Sequence, residues 1–172
     1  MGETHGWQEK PELPTLKGLN KTYSMSSYRR ILYHLVIHTK NSQKTLNPIY
    51  TWELYSYTTG FVNNKTCFLY RINGVENHMH LLCDLHPSIA LADFIRDMKT
   101  STSIWLKQSG KFPAFQGWAL GYAALTYGWR DKEMLINYIK NQQKHHENIS
   151  FEDELKTLLR ENGIDINENF FP

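Results

Sequence analysis

The sequence predicts an α+β domain built on a four-stranded antiparallel sheet, and three observations carry that reading. The octet Ile31-Leu32-Tyr33-His34-Leu35-Val36-Ile37-His38 is dense in β-forming residues. Two further apolar runs lie on either side of Asn73-Gly74, a dipeptide that favours a hairpin turn. Between these runs, and after them, apolar residues recur at helical spacing.

Taken in order, residues 1–25 show no periodicity and carry Gly, Pro and Lys in loop-like order, which reads as a flexible extension ahead of one domain over 26–172. The first strand follows at Ile31–His38. Pro48 opens a helix to about Val62, with Trp52, Tyr55 and Thr59 at helical spacing. Thr66–Asn73 and Asn77–Leu85 read as the two arms of a hairpin. Pro87-Ser88 begins a longer helix whose apolar positions are Ile89, Ala92, Phe94, Ile95, Met98, Ile104 and Leu106, ending near Gly110. Phe115–Tyr127 reads as an aromatic strand interrupted by glycines. Asp131 suits the N-cap of a helix to about His146, and Ser150-x-x-Asp153 suits a capping box for a last helix to Asn162. Strand, helix, strand, strand, helix, strand is the split βαβ, ferredoxin-like order, with helices on one face and a helical C-terminal addition. That fold hosts many activities, so function must come from particular residues.

Composition narrows the field. A chain of 172 residues, 41% apolar and 21% charged, is ordinary for a globular domain and unlike disorder or coiled coil. The apolar runs are too short for a bilayer span and no secretory leader is legible, so a cytoplasmic protein with no membrane partner is expected. Cys67 and Cys83 read as buried, reduced thiols. Net charge is only +2, but it is unevenly placed. No acid lies between Glu12 and Glu53, a stretch holding Lys17, Lys21, Arg29, Arg30, Lys40 and Lys44, while the chain from Glu147 onward is mostly acidic. Such asymmetry suits either a polyanion bound on one side or a solvated basic face. For a nucleic acid the candidate contacts are Arg29, Arg30, Lys40 and Lys44.

The most informative short motif is His78-Met79-His80, set between turn chemistry and an apolar run. Residues two apart on a strand share a face, so the imidazoles project together while Met79 packs on the other side. Two neutral ring nitrogens can hold a divalent metal with a third ligand from elsewhere. On the helix Asp131–His146, Tyr138 and Gln142 are four apart and share a face, with His145 a turn further on. Tyr138 could simply continue the apolar stripe of Met134 and Leu135. Gln142 is harder to absorb, because a buried amide needs a polar partner and its oxygen suits a hard cation.

His78-Met79-His80, then Tyr138-Ile139-Lys140-Asn141-Gln142, His145-His146, Phe151 and Glu154-Leu155 about sixty residues on, form an ordered set. With Tyr28-Arg29-Arg30 before the first strand and Asp93-Phe94-Ile95-Arg96-Asp97-Met98-Lys99 in the middle helix, the set resembles the single-tyrosine HUH transposases. These comprise small insertion-sequence transposases and REP-associated tyrosine transposases. The resemblance implies that His78, His80 and Gln142 are the metal ligands, that the ion is Mg²⁺ or Mn²⁺, and that Tyr138 is the nucleophile. It further implies single-stranded DNA carrying a stem-loop as substrate, a 5′-phosphotyrosine intermediate, and a homodimer whose sites can be shared between subunits. A neutral ligand set leaves the ion's charge available to the phosphate. Gly117-Trp118-Ala119-Leu120 departs from the Trp-Gln pair that the family usually has ahead of Gly121-Tyr122. His145-His146 suit extra phosphate contacts or a plain polar helix end.

Two other classes stay open on sequence. One is a transposase descendant that holds DNA or RNA hairpins without cutting. The other is a small-substrate metallohydrolase that uses Asp84 or His86 beside the His pair.

Overall fold

The computed structural model describes residues 28–167; the 1–25 extension, with Lys17 and Lys21, lies outside the described residues. Four strands, β1 (Leu32–His38), β2 (Phe68–Gly74), β3 (His78–Asp84) and β4 (Ala123–Tyr127), form one antiparallel sheet in the order β2-β3-β1-β4. This is the expected split βαβ arrangement. Alternation along β1 and β3 divides the sheet cleanly into two faces. Leu35, Ile37, Met79, Leu81 and Cys83 face α1 (Thr51–Asn64) and α2 (Leu91–Gln108), whose Leu54, Val62, Phe94, Met98 and Leu106 complete the main core. Cys67 and Cys83 are free and buried, as the sequence suggests.

Helices cover the second face too. Leu32 and Leu82 pack beneath Leu135 and Ile139 of α3 (Lys132–Lys140), and Val36, Ala123 and Leu125 pack beneath Phe151, Leu155 and Leu158 of α5 (Phe151–Glu161). The helical C-terminal addition therefore closes the face on which His78 and His80 stand.

Four elements differ from expectation, each for a visible reason. The reversal after β2 is made by Val75–Asn77, with the Val75 N–H bonded to His78 O at 3.0 Å, while Asn73 and Gly74 remain on the strand. Gly74 is required there by close approach, since a Cβ would stand 2.2 Å from His78 O. Of the expected strand Phe115–Tyr127, only its last five residues pair as β4. Phe115 and Trp118 enter the main core from a loop, touching β1 through a single Thr39–Trp118 bridge. Asp131 occupies the N-cap position of α3 as expected, but its side chain accepts from the Gly128 N–H at 3.0 Å and makes no cap bond to the helix. Finally, the expected helix to His146 breaks at Asn141 into α3 and the short α4 (Gln142–His145). Asn73 Nδ2 holds that break by donating to Ile139 O at 3.0 Å and Lys140 O at 2.9 Å.

Lys99 secures the loop ahead of β4, donating to the carbonyls of Ala119, Leu120 and Gly121 at 2.8, 3.0 and 2.6 Å. Lys99→Met keeps the stem and removes the donors. Bonds from a charged donor are worth about 1.5–3 kcal/mol, so the denaturant midpoint is expected to fall by a corresponding amount; an unchanged midpoint would show the loop held by Phe115 and Trp118 alone.

Candidate metal centre and nucleophile

Strand β3 sets His78 and His80 fully buried on the face beneath α3–α5, while Met79 lies in the opposite core, as the alternation requires. Helix α3 brings Tyr138 over the same spot. Its ring centroid is 5.9 Å from that of His80, so nucleophile candidate and His pair meet within one chain. The tyrosine helix packs on the sheet of its own chain.

The groups converge on a carboxylate that sequence reasoning did not assign. Glu154, on α5, is 3% exposed. Its Oε1 accepts from the Tyr138 hydroxyl and from Gln142 Nε2, the latter at 2.8 Å. Its Oε2 lies 3.0 Å from His146 Nε2, 3.2 Å from His78 Nε2 and 3.4 Å from His80 Nε2. Burial alone would raise the Glu154 pKa, but its hydrogen bond with His146 holds it below the usual carboxylate range. Tyr138 moves oppositely, pushed up by burial and then by the Glu154 charge. Burial also lowers His78 to about 4, so this ring is neutral near pH 7.

The hydrogen bonds behind the ligand atoms bear on their tautomers. His78 Nδ1 lies 2.7 Å from Asn77 Oδ1, an acceptor, so the proton sits on Nδ1 and the Nε2 lone pair faces Glu154. His80 Nδ1 lies 2.9 Å from His34 Nε2 on the neighbouring strand β1. Either ring can donate in this pair, and donation from His80 Nδ1 would leave its Nε2 lone pair facing Glu154. Burial lowers the His34 pKa to about 3, so it stays neutral.

These residues fit a divalent cation. His78 Nε2, His80 Nε2 and Gln142 Oε1 are buried and lack any hydrogen-bond partner. The His78 lone pair facing a carboxylate oxygen is an arrangement that a cation relieves. One ligand atom from each of His78, His80, His146 and Glu154 lies within 4.8 Å of all the others. Relative to the expected set of His78, His80 and Gln142, the structure adds Glu154 and His146. Gln142 is fully buried and spends its amide nitrogen on Glu154, leaving its oxygen unpaired. A signal for Glu154 was present in the sequence: it interrupts the apolar stripe Phe151, Leu155, Leu158 on α5.

Two cavities open beside the centre. One of about 340 Å³ reaches Tyr138, His145 and Glu154, and one of about 490 Å³ is lined by Asn77, Gln143, His146 and Phe151. Lys44 lines the larger one and sits 3.7 Å from Glu76. The other proposed DNA contacts do not join it in a single patch. Arg29 is engaged with Asp84 and with Leu85 O, Arg30 lies over the Trp129 ring, and Lys40 is exposed. Asp84 pairs with Arg29 and His86 bonds Ser88 at 2.7 Å, and neither joins the cluster of potential ligands around His78 and His80 on which the metallohydrolase alternative would depend.

Comparison with known proteins agrees with this geometry. Residues 27–142 match the family described as transposase IS200 like. That span contains His78, His80, Tyr138 and Gln142, and stops short of His146 and Glu154. A crystal structure assigned as a transposase from Deinococcus radiodurans R1 is 21% identical, with a TM-score of 0.56 over 70% of this chain and 96% of that one. A REP-associated tyrosine transposase bound to a REP hairpin is 15% identical, with a TM-score of 0.54 over 73% of this chain and 76% of that one. At these identities the likeness establishes the shared fold. No curated protein matches the sequence. No helix among the described residues is long and apolar enough to cross a membrane.

Proposed function

The chain belongs to the IS200-like transposase family, and from that premise we propose that it cuts and rejoins single-stranded DNA bearing a stem-loop, with Tyr138 as nucleophile. The observation that carries the reading is the meeting of the Tyr138 hydroxyl with the unpartnered ligand atoms of His78, His80 and Gln142 around one buried carboxylate. The neighbour bound to a REP hairpin supports the substrate class.

Tyr138 supplies the attacking oxygen, and the products are a 5′-phosphotyrosine and a free 3′-hydroxyl, whose later attack reverses the step. A phenol held protonated by burial is a weak nucleophile, so it needs both orientation and a proton acceptor. Glu154 Oε1 supplies the orientation, because the Tyr138 hydroxyl already donates to it, and the phenol proton ends on the departing 3′-oxygen. Asn77 and His34 hold the His78 and His80 rings from behind. A Mg²⁺ or Mn²⁺ ion held by His78, His80, Gln142 and Glu154 would supply the charge that polarises the scissile phosphate and steadies the departing 3′-oxygen.

The test is incubation of the protein with a stem-loop-bearing single strand, with and without Mn²⁺ or Mg²⁺. A metal-dependent covalent protein–DNA adduct is expected. Tight hairpin binding with no adduct under any metal would instead assign a binding module that does not cut. Because the tyrosine helix is docked on its own sheet, mixing Tyr138→Phe chains with His80→Ala chains is expected to restore no cleavage. Recovery of activity in verified mixed dimers would show that α3 exchanges between subunits. A homodimer formed by such chains carries two complete sites.

A further inference from the structure

Away from the metal centre, the far end of the sheet carries an aromatic cluster that the proposed chemistry does not use. Phe68 begins the edge strand β2, and its ring centroid lies 4.6 Å from that of Tyr70. Tyr70 is in turn 5.9 Å from Trp129, on the turn that leads into α3. Phe68 and Trp129 are 45% and 40% exposed, so their rings are open to a partner.

Cations frame the rings. The Arg30 guanidinium lies 4.1 Å from the Trp129 centroid, and Lys132 Nζ lies 4.7 Å from Trp129 and 6.0 Å from Tyr70. Arg71 is opposite Leu82 in the ladder and so stands on the α3 side, with its Nε buried and without a hydrogen-bond partner. Among the described residues neither Arg30 nor Arg71 is in an ion pair, and Lys132 meets only the exposed Glu133, at 2.8 Å. Aromatic faces interleaved with two guanidinium groups that lack carboxylate partners and one ammonium paired only with an exposed glutamate match unpaired bases joined by phosphates: rings stack on bases, and guanidinium groups meet the backbone.

Position ties this surface to the nucleophile. Lys132 and Tyr138 are both on α3, six residues apart, which is about 9 Å along the axis. At a stacked spacing of about 3.4 Å, that spans roughly two to three nucleotides. We propose that Phe68, Tyr70 and Trp129, with Arg30, Arg71 and Lys132, form a stacking platform for the single-stranded DNA that flanks the stem-loop near the cleaved position. The proposal rests on the DNA-cutting reading for its substrate, but it is tested by binding alone.

Two fluorescent oligonucleotides serve as probes: a stem-loop with a single-stranded thymidine flank, and the same stem-loop with a blunt end. Both are titrated by anisotropy against the full chain without divalent metal, so that no strand is cut. Trp129→Ala and Arg30→Ala are each expected to weaken binding of the flanked probe about tenfold and to leave the blunt probe unchanged. Trp129→Phe should recover most of the loss, which a merely misfolded chain would not do. A 2-aminopurine placed in the flank should be quenched by the wild type and not by Trp129→Ala. Equal loss on both probes, or no loss on either, overturns the platform. Flank-dependent binding by a protein that never forms an adduct at Tyr138 would keep the platform and overturn the cutting reading instead.

Discussion

Tyr138→Phe is expected to abolish both strand cleavage and the covalent protein–DNA adduct while leaving hairpin affinity nearly intact. Only the attacking oxygen is removed. The ring remains packed edge-on to His80 and His34, and Gln142 still donates to Glu154 Oε1. The lost hydroxyl made one hydrogen bond to an ionised carboxylate, worth about 1.5–3 kcal/mol, a loss that a stably folded domain tolerates. Denaturing electrophoresis of the reaction with a labelled stem-loop strand reads the adduct directly. An adduct formed by the Phe variant would take the nucleophile role from Tyr138.

The second large effect is expected in metal binding. The double variant His78→Ala/His80→Ala should show no Mn²⁺ heat by calorimetry, because both strand-borne nitrogens are gone. Glu154→Gln should cost about tenfold or more in Mn²⁺ affinity, since it removes the one buried anion of the centre while nearly preserving its volume. Gln142→Ala should cost less, an amide oxygen being the weakest donor of the set. Unchanged Mn²⁺ affinity in the double His variant would place the site elsewhere. Unchanged affinity in Glu154→Gln would leave Glu154 as a partner of Tyr138 and His146 only.

The sheet and its His pair were legible because strand periodicity is simple: once β3 is recognised, His78 and His80 must share a face with Met79 opposite. Helical periodicity likewise joined Tyr138 to Gln142. What stayed hidden depended on contacts between segments distant in the chain. The α3–α4 break is held by Asn73, some seventy residues earlier, and no local signal announces it. His34 reads as one more alternating position on β1 until the β1–β3 register sets it diagonal to His80. Phe115 and Trp118 have strand-like composition, yet they fill the core from a loop, and β-forming residue types do not distinguish the two cases. Glu154 was visible as an anomaly on an apolar stripe, but nothing local states which partners a buried carboxylate will find.

The location of Glu154 bears on when the protein becomes competent during its own synthesis. The His pair lies near the middle of the chain and Tyr138 follows it, but the carboxylate that joins them is carried by α5, beyond the residues 27–142 that match the family. A ribosome-bound chain that has exposed the sheet and the tyrosine helix still lacks the anion that holds the phenol, the amide and the imidazoles together. A domain folds as a unit once its residues have emerged from the ribosome, so on the proposed reading strand-cutting competence would arrive with α5 rather than grow gradually. Fragments ending before α5 would be released with a nucleophile and an incomplete centre, and the cell's DNA would be spared the products of unfinished translation.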